Sequence, residues 1–223
     1  IKRFNKEKNP QNEISNFEVS NINLLKALFE IKTKTDNSLT FRCGCKSGVC
    51  GSCAVRVNGV VKLACKTNIE DNDLIEAIKN TTIIKDLVVN VSHETLLIKK
   101  AKSYIDEIQE CEITHKDIKN IELQSNCILC NSCYSSCPVY DLNKEFLGPF
   151  ALTRALRYVN DKKTAHRANI IDSIQLNGVW DCTLCSACTL VCPQGIDPKA
   201  DIIQLQNISV QNGYSNPYTQ NLD

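Results

Sequence analysis

Residues 182–193 read Cys-Thr-Leu-Cys-Ser-Ala-Cys-Thr-Leu-Val-Cys-Pro, which is the spacing C-x2-C-x2-C-x3-C-P. The same spacing occurs once before, over residues 127–138. Such short, regular spacing lets a tight loop point three sulfur atoms at one inorganic core. Because thiolates are soft ligands that stabilise iron–sulfide cores, the two runs predict two iron–sulfur clusters.

Paired runs of this kind are typical of two-cluster bacterial ferredoxins, in which the fourth cysteine of each run ligates the other cluster. Each run ends in Cys-Pro, and proline ends the loop because it cannot donate a backbone hydrogen bond. The sequence therefore predicts two [4Fe–4S] clusters that exchange one ligand each. We name them the middle cluster, with Cys127, Cys130, Cys133 and Cys192, and the distal cluster, with Cys137, Cys182, Cys185 and Cys188.

Structural zinc and disulfides are two other uses for so many cysteines. Zinc sites have four ligands, usually in two separated C-x2-C pairs, which the third cysteine and the Cys-Pro of each run do not match. Disulfide frameworks suit small secreted domains, whereas this chain has 223 residues. Zinc stays the second interpretation and disulfides the third.

The composition limits the classes of protein that fit. A chain of 223 residues, 43% of them hydrophobic, can form one or two domains, and 14 of its residues are cysteines. The net charge of +1 gives no reason to expect a nucleic-acid partner. No run of about 18 apolar residues is present, so no membrane-spanning helix is expected, and no signal peptide is visible at the start.

A third cysteine group comprises Cys45, Cys50 and Cys53, with the C-x4-C-x2-C spacing of plant-type [2Fe–2S] ferredoxins. Cys65 is expected to be the fourth ligand. The reason is the Asn58-Gly59 pair between alternating apolar residues, which predicts a hairpin that brings Cys65 back beside the loop. The sequence thus predicts one [2Fe–2S] cluster on these four cysteines.

The two remaining cysteines, Cys43 and Cys111, belong to none of the three groups. Cys43 is too close to Cys45 to serve as a regular ligand beside it, so an ordinary thiol is the expected reading. Three basic residues, Arg42, Lys46 and Arg56, flank the [2Fe–2S] loop. They form either docking contacts for a partner or a solvated basic face.

The pattern of elements divides the chain after residue 95. Residues 1–95 are expected to form a plant-type ferredoxin β-grasp domain around the [2Fe–2S] loop, and residues 96–223 an all-α bacterial ferredoxin-like domain with two cubane clusters. The fold class is therefore α+β. The expected local elements include strands over 1–8 and 14–19 joined by a turn at 9–12, a helix over 73–79 and a helix over 150–160.

This order of modules resembles the iron–sulfur subunits of succinate dehydrogenases and fumarate reductases. The resemblance covers most of the chain and rests on short stretches in and around the cysteine groups. These are Phe41-Arg42, 84–89, 127–130, 178–180, 191–193 and Asp197-Pro198. Residues 145–149 with Arg157-Tyr158 are most similar to the fumarate reductase branch.

The resemblance implies a subunit of an oxidoreductase complex that has no dicarboxylate active site of its own. A flavoprotein with covalent FAD would interconvert succinate and fumarate, in a direction that this chain leaves open. Electrons would pass through three clusters in line, with the [2Fe–2S] nearest the flavin, to or from a membrane-associated subunit that reacts with quinone. The chain would lie peripherally on the cytoplasmic membrane, on either face.

Cys185 departs from the common pattern of this family. Most relatives lack that cysteine and carry a [3Fe–4S] cluster there, which is the alternative for the distal cluster. Its presence resembles the type-E succinate:quinone reductases and the methylmenaquinol:fumarate reductases, whose partner subunit has cysteine-rich repeats. The alternative function is a polyferredoxin-type wire of another complex, such as a thiol- or heterodisulfide-linked fumarate reductase.

Overall fold

A computed structural model describes residues 1–5 and 9–219 of the chain. The contacts divide the chain into two compact units. The first unit comprises Ile1–Val91 and the segment Ile128–Ser136, and the second comprises Ser92–Cys127 and Cys137–Asp223. The division after residue 95 stays a prediction from the sequence.

In the described residues, the strands all lie in the N-terminal part of the chain, with one helix among them, and the other helices follow. The strands are β1 (Lys2–Asn5), β2 (Asn9–Ile14), β3 (Ala54–Val57), β4 (Val60–Leu63), β5 (Ile75–Glu76), β6 (Ile83–Lys85) and β7 (Val88–Val89). The helices are α1 (Leu24–Glu30), α2 (His93–Lys100), α3 (His115–Ser125), α4 (Ser132–Ser135), α5 (Pro138–Leu142), α6 (Pro149–Asn160), α7 (Arg167–Ser173), α8 (Ala187–Leu190) and α9 (Pro198–Gln211). Short turns of other helical types cover Ile31–Thr35, Ala64–Lys66 and Gln175–Val179.

The strands of the first unit form two antiparallel sheets, in the orders β2-β1-β6-β7 and β4-β3-β5. The predicted Asn58-Gly59 hairpin joins β3 to β4, where Ala54 pairs with Leu63. Asn58 and Gly59 have φ values of 49° and 85°, as a two-residue turn between antiparallel strands requires. Alternate residues of both strands face the core, so the hairpin fixes the position at which Cys65 follows β4.

A buried ion pair holds β1 against the β6–β7 turn. Asp86 is 2% exposed and accepts hydrogen bonds from Arg3 Nε and from Thr40 N, both at 2.8 Å. Arg3 also pairs with Asp36. Loss of one partner of such a pair typically costs about 3 kcal/mol or more, because it leaves a buried charge uncompensated. This network therefore anchors residues 36–40, which lead into the cysteine loop.

Three local predictions in the first unit were wrong. The strand predicted over 14–19 is absent beyond Ile14, where β2 ends, because its pairing with β1 stops at the Lys2–Ile14 pair. Residues 9–12, predicted as a turn, belong to β2, and the connection between β1 and β2 falls on residues 6–8, outside the described residues. β2 is an edge strand, and an edge tolerates the polar residues and the proline that suggested a turn. Residues 73–79, predicted as a helix, contain β5, because pairing of Ile75 with Val57 outweighs the local helical preference.

The core of the second unit is organised around α6, which packs against α2, α3, α7 and α9. Pro149 occupies the first turn, and an apolar stripe at Leu152, Ala155, Leu156 and Val159 is buried along its whole length. The helix predicted over 150–160 is thus present. Its position matters because Pro149 also lines the cysteine cavity described below.

A buried carboxyl group ties three helices of the second unit together. Asp201 of α9 is 2% exposed and accepts hydrogen bonds from Gln124 Nε2 of α3 at 2.8 Å and Thr153 Oγ1 of α6 at 2.7 Å. Burial raises the pKa of Asp201, and the two donors oppose that rise. The triad fixes the start of α9, which also contributes to the cysteine cavity.

Candidate iron–sulfur sites

Four cysteines of the first unit gather where the cysteine loop meets the end of β4. Cys45 N donates to Cys50 Sγ at 3.4 Å, and Ala64 N donates to Cys53 O at 3.1 Å, which brings the loop against the turn that carries Cys65. Burial raises the pKa of Cys53 to about 11, and the neighbouring Cys65 and Cys50 sulfurs add to the rise. The structure therefore brings together all four residues predicted to hold the [2Fe–2S] cluster, while Cys43 is exposed.

Hydrogen-bond donors of the loop point at the sulfur of Cys45. Ser47 N and Val49 N each lie 3.4 Å from Cys45 Sγ. The Ser47 hydroxyl and then these two amides lower the pKa of the Cys45 thiol to about 6, because they stabilise its charged form. A thiolate is the form that binds iron, and donors to ligand sulfur also raise a cluster's reduction potential. The chemistry of this loop therefore fits an iron–sulfur ligand set.

The basic residues beside this loop have contacts within the first unit. Arg42 Nη2 donates to Val89 O at 2.9 Å, and Arg56 Nη2 lies 3.2 Å from Glu76 Oε2. Lys46 lies over the Phe29 ring, with its Nζ 5.2 Å from the centroid. Arg42 and Arg56 thus support the fold around the loop, which the sequence pattern did not indicate.

Four cysteines of the second unit line one cavity, and they are the four predicted for the distal cluster, Cys137, Cys182, Cys185 and Cys188. The helices position them. Cys137 lies at the N-cap of α5, where its Sγ accepts from Tyr140 N at 3.4 Å, and Cys188 lies within α8. Apolar residues complete much of the wall, namely Val139, Phe146, Pro149 and Ile202.

Burial dominates the electrostatics of this cavity. It raises the pKa of Cys137 and Cys182, and that of Cys188 to about 11, with smaller contributions from the neighbouring sulfurs. Buried thiols without a metal keep their protons, and iron displaces those protons when it binds. A cavity with soft sulfur ligands and largely apolar walls therefore suits an iron–sulfur cluster better than it suits bound water.

The two C-terminal cysteine runs share an unusual backbone conformation. Leu129 and Asn131 in the first run have φ values of 52° and 63°, and Leu184 and Ser186 in the second have 55° and 68°. Residues with a Cβ rarely adopt this left-handed region, at a cost of about 1 kcal/mol or more each. The four positions correspond one to one, so Cys130 and Cys185 each lie between two left-handed residues. Cys185 therefore has the local backbone of a regular cluster ligand.

The four predicted ligands of the middle cluster are divided between the units. Cys130 and Cys133 belong to the segment Ile128–Ser136 of the first unit, whereas Cys127 and Cys192 belong to the second. Cys130 Sγ donates to Ser132 Oγ at 3.2 Å. This ligand set stays a prediction from the spacing.

Lys199 is a feature of the distal cavity that the sequence analysis missed. It is the one charged side chain among the described residues that line the cavity. It lies in the first turn of α9, just after Asp197, whose carboxylate caps that helix. Only the packing of α9 beside the cysteines reveals it, since lysine at a helix start is unremarkable in a sequence.

Two searches of the described part of the chain gave negative results. No group of three or more His, Cys, Asp or Glu side chains there is arranged to hold a single metal ion. None of the helices described is both long enough and apolar enough to cross a bilayer.

Comparisons with known proteins also divide the chain into a part for each type of iron–sulfur cluster. Residues 1–95 match a 2Fe-2S iron–sulfur cluster binding domain, and residues 123–196 match a 4Fe-4S dicluster domain. The predicted fold class is therefore confirmed, and so is the presence of binding domains for both cluster types.

Two relatives cover most of the chain. The fumarate reductase iron-sulfur subunit of Haemophilus influenzae is 36% identical, over 92% of this chain and 89% of the relative. The 8-methylmenaquinol:fumarate reductase iron-sulfur subunit of Wolinella succinogenes is 31% identical, over 96% of this chain and 72% of the relative. A chain of the Mycobacterium smegmatis Sdh1 complex has a similar fold, with a TM-score of 0.78 at 21% identity and 93% coverage of both chains.

Proposed function

Because this chain belongs to the family of fumarate reductase and succinate dehydrogenase iron–sulfur subunits, we propose that it relays electrons between a covalent-FAD flavoprotein and a quinone-reacting membrane-associated subunit. The resemblance inferred from the sequence is confirmed, and so is its general consequence, an electron-transfer subunit of an oxidoreductase complex. The identity of both partners, the membrane face and the direction of electron flow belong to the proposal.

The observation that carries the proposal is the gathering of cysteines at two separate sites. One site lies in each unit, on the loop around Cys45 and in the cavity around Cys182. Iron–sulfur clusters supply one-electron transfer, which suits a chain that joins a two-electron flavin to a quinone. The protein's own part is to hold the clusters at fixed positions, to exclude water and to donate hydrogen bonds to their ligands.

The full complement that we propose is one [2Fe–2S] cluster and two [4Fe–4S] clusters. The [2Fe–2S] cluster is held by Cys45, Cys50, Cys53 and Cys65. Cys127, Cys130, Cys133 and Cys192 hold the middle cluster, and Cys137, Cys182, Cys185 and Cys188 the distal one. Support for the distal set comes from its common cavity in the second unit and from the matching backbones at Cys130 and Cys185.

Purification of the complex from its native host, through a tag on this chain, tests the proposed function. We expect a flavoprotein to co-purify and to keep its flavin after denaturation, because the flavin is covalently attached. Succinate should then reduce the clusters of the purified complex, as absorbance bleaching would show. A chain that purifies alone, or with partners that lack flavin, would favour the polyferredoxin-type alternative.

Replacement of Lys199 should shift the reduction potential of the distal cluster. Lys199 lines a cavity whose occupant gains negative charge on reduction, so its positive charge favours the reduced form. Asp197 offsets part of this charge, since its carboxylate, held mainly by the Thr189 hydroxyl, also interacts with Lys199. We expect Lys199→Gln to lower the distal cluster's midpoint potential and Lys199→Arg to preserve it.

An EPR-monitored redox titration of the intact complex measures this effect. The [2Fe–2S] cluster is the internal control, and its potential should be the same in both variants. If Lys199→Gln and Lys199→Arg gave the same distal potential, the charge of Lys199 would have no role in tuning that cluster.

A further inference from the structure

Gly51 lies between two cysteines of the [2Fe–2S] loop and packs directly against another segment of the first unit. Its φ is +70°, and a Cβ built on it would lie 2.8 Å from Cys130 Cα, 2.8 Å from Cys130 Cβ and 2.9 Å from Ile128 O. Distances below 3.0 Å are not tolerated between such atoms, and two of these three neighbours are backbone atoms that cannot move aside. The absence of a side chain at Gly51 is what permits this approach.

Gly48, a second glycine of the same loop, shows that close packing against another backbone segment is not a general property of the loop. Gly48 also has a positive φ, +86°, but its Cβ would meet the side chain of Lys66, with Cε at 2.8 Å. A lysine side chain is flexible and can turn away. Gly48 is therefore required for its backbone conformation, whereas Gly51 is required for its conformation and for its contact.

The contact at Gly51 joins the surroundings of Cys53, a proposed [2Fe–2S] ligand, to those of Cys130, a proposed ligand of the middle cluster. Cys53 is buried in the core of the first unit, and Ile128 and Cys130 pack against that same core. Cys130 is a proposed ligand of the middle cluster, so the loop around the [2Fe–2S] cluster touches the backbone of a ligand of the next cluster. No side chain separates the two segments at Gly51.

We propose that Gly51 is the electron-transfer junction between the [2Fe–2S] cluster and the middle cluster. It acts as a positioning residue, which keeps the [2Fe–2S] loop in van der Waals contact with Cys130. With both clusters bound, this contact would carry one electron from the reduced cluster to the oxidised one, and no proton or further reactant would take part. This inference rests on the proposed function, because it requires both clusters to be present.

The physical reason is the distance dependence of electron tunnelling. Tunnelling through packed atoms is faster than tunnelling across a gap, and its rate falls steeply with each added ångström. A methyl group at position 51 would push the loop away from Cys130 and widen the separation. Gly48→Ala imposes the same strain of positive φ without touching Cys130, so it is the matched control.

The test compares Gly51→Ala with Gly48→Ala in the intact complex. When both clusters are reduced, their electron spins interact, and this interaction broadens the [2Fe–2S] EPR signal and speeds its relaxation. We expect Gly51→Ala to weaken that broadening measurably and to slow electron equilibration between the clusters after rapid mixing. Strain from a positive φ should affect both variants, so the broadening and the rate in Gly51→Ala are scored against those in Gly48→Ala, and both variants should keep the g-values of the [2Fe–2S] cluster.

Equal EPR broadening and equal rates of electron equilibration in the two variants would overturn the proposed role of Gly51 as the junction. If Gly51→Ala fails to assemble the [2Fe–2S] cluster while Gly48→Ala assembles it, Gly51 is needed to form the site and not to position it, which overturns the junction. Absence of broadening in the unsubstituted complex on reduction of the middle cluster overturns it as well. A complex without iron–sulfur signals would instead contradict the proposed function, so the two failures are distinguishable.

Discussion

Replacement of Cys65 by alanine is expected to abolish the [2Fe–2S] EPR signal and to leave the signals of the other clusters in place. Cys65 follows β4, and the β3–β4 hairpin carries it to the cysteine loop, where its sulfur lies beside that of Cys53. A [2Fe–2S] core needs two thiolates on each iron, so the loss of one ligand releases the core. The variant should lose about two iron atoms per chain.

Low-temperature EPR of the dithionite-reduced complex, together with iron analysis, measures this loss. Cys43→Ala is the control, because Cys43 is an exposed thiol just before the loop and its removal should leave the signal unchanged. If the signal persisted in Cys65→Ala and disappeared only after Cys43 was replaced as well, Cys43 would be a substitute ligand. Persistence in both variants and in the double variant would refute the ligand set.

The parts of the structure that the sequence predicted are those with strong local chemistry. The Asn58-Gly59 pair predicts its turn because few other residues accept two consecutive positive φ values. The apolar stripe of α6 predicts a buried helix because its 3.6-residue period has no other simple explanation. Cysteine spacing predicts ligands because a cluster requires several sulfurs within one small volume.

The parts that the sequence did not predict depend on tertiary contacts. The short strand β5 exists because it pairs with β3, and nothing in residues 73–79 alone favours it over a helix. Membership of Ile128–Ser136 in the first unit follows from its packing on that unit's core, not from its own composition. The contact at Gly51 and the position of Lys199 have the same origin, since each joins segments that lie far apart in the chain.

Replacement of Cys185 by alanine is expected to convert the distal cluster from a four-iron to a three-iron form. A cubane needs one thiolate on each iron, and an iron without its corner ligand dissociates. Cys185 lines the same cavity as Cys137, Cys182 and Cys188, between two left-handed residues that repeat the backbone at Cys130. Its exposure makes it the corner from which an iron is most easily lost.

Two measurements follow the conversion. Iron content should fall from about ten to about nine atoms per chain. The oxidised variant, prepared anaerobically, should also show the strong EPR signal of a three-iron cluster, which the unsubstituted complex should lack. Cys111→Ala is the control, because that thiol donates to Lys162 O at 3.7 Å and belongs to none of the three cysteine groups.

The functional consequence follows from the change in reduction potential. A three-iron cluster generally has a higher potential than its four-iron counterpart, so it holds its electron more tightly. Cys185→Ala should therefore slow electron delivery to the acceptor subunit, while the flavin still reacts with dicarboxylate. Steady-state assays should show a lower rate with quinone and an unchanged rate with an artificial acceptor that takes electrons directly from the flavin. A three-iron signal already present in the unsubstituted, anaerobic complex would show that Cys185 does not ligate iron and that the distal cluster is [3Fe–4S].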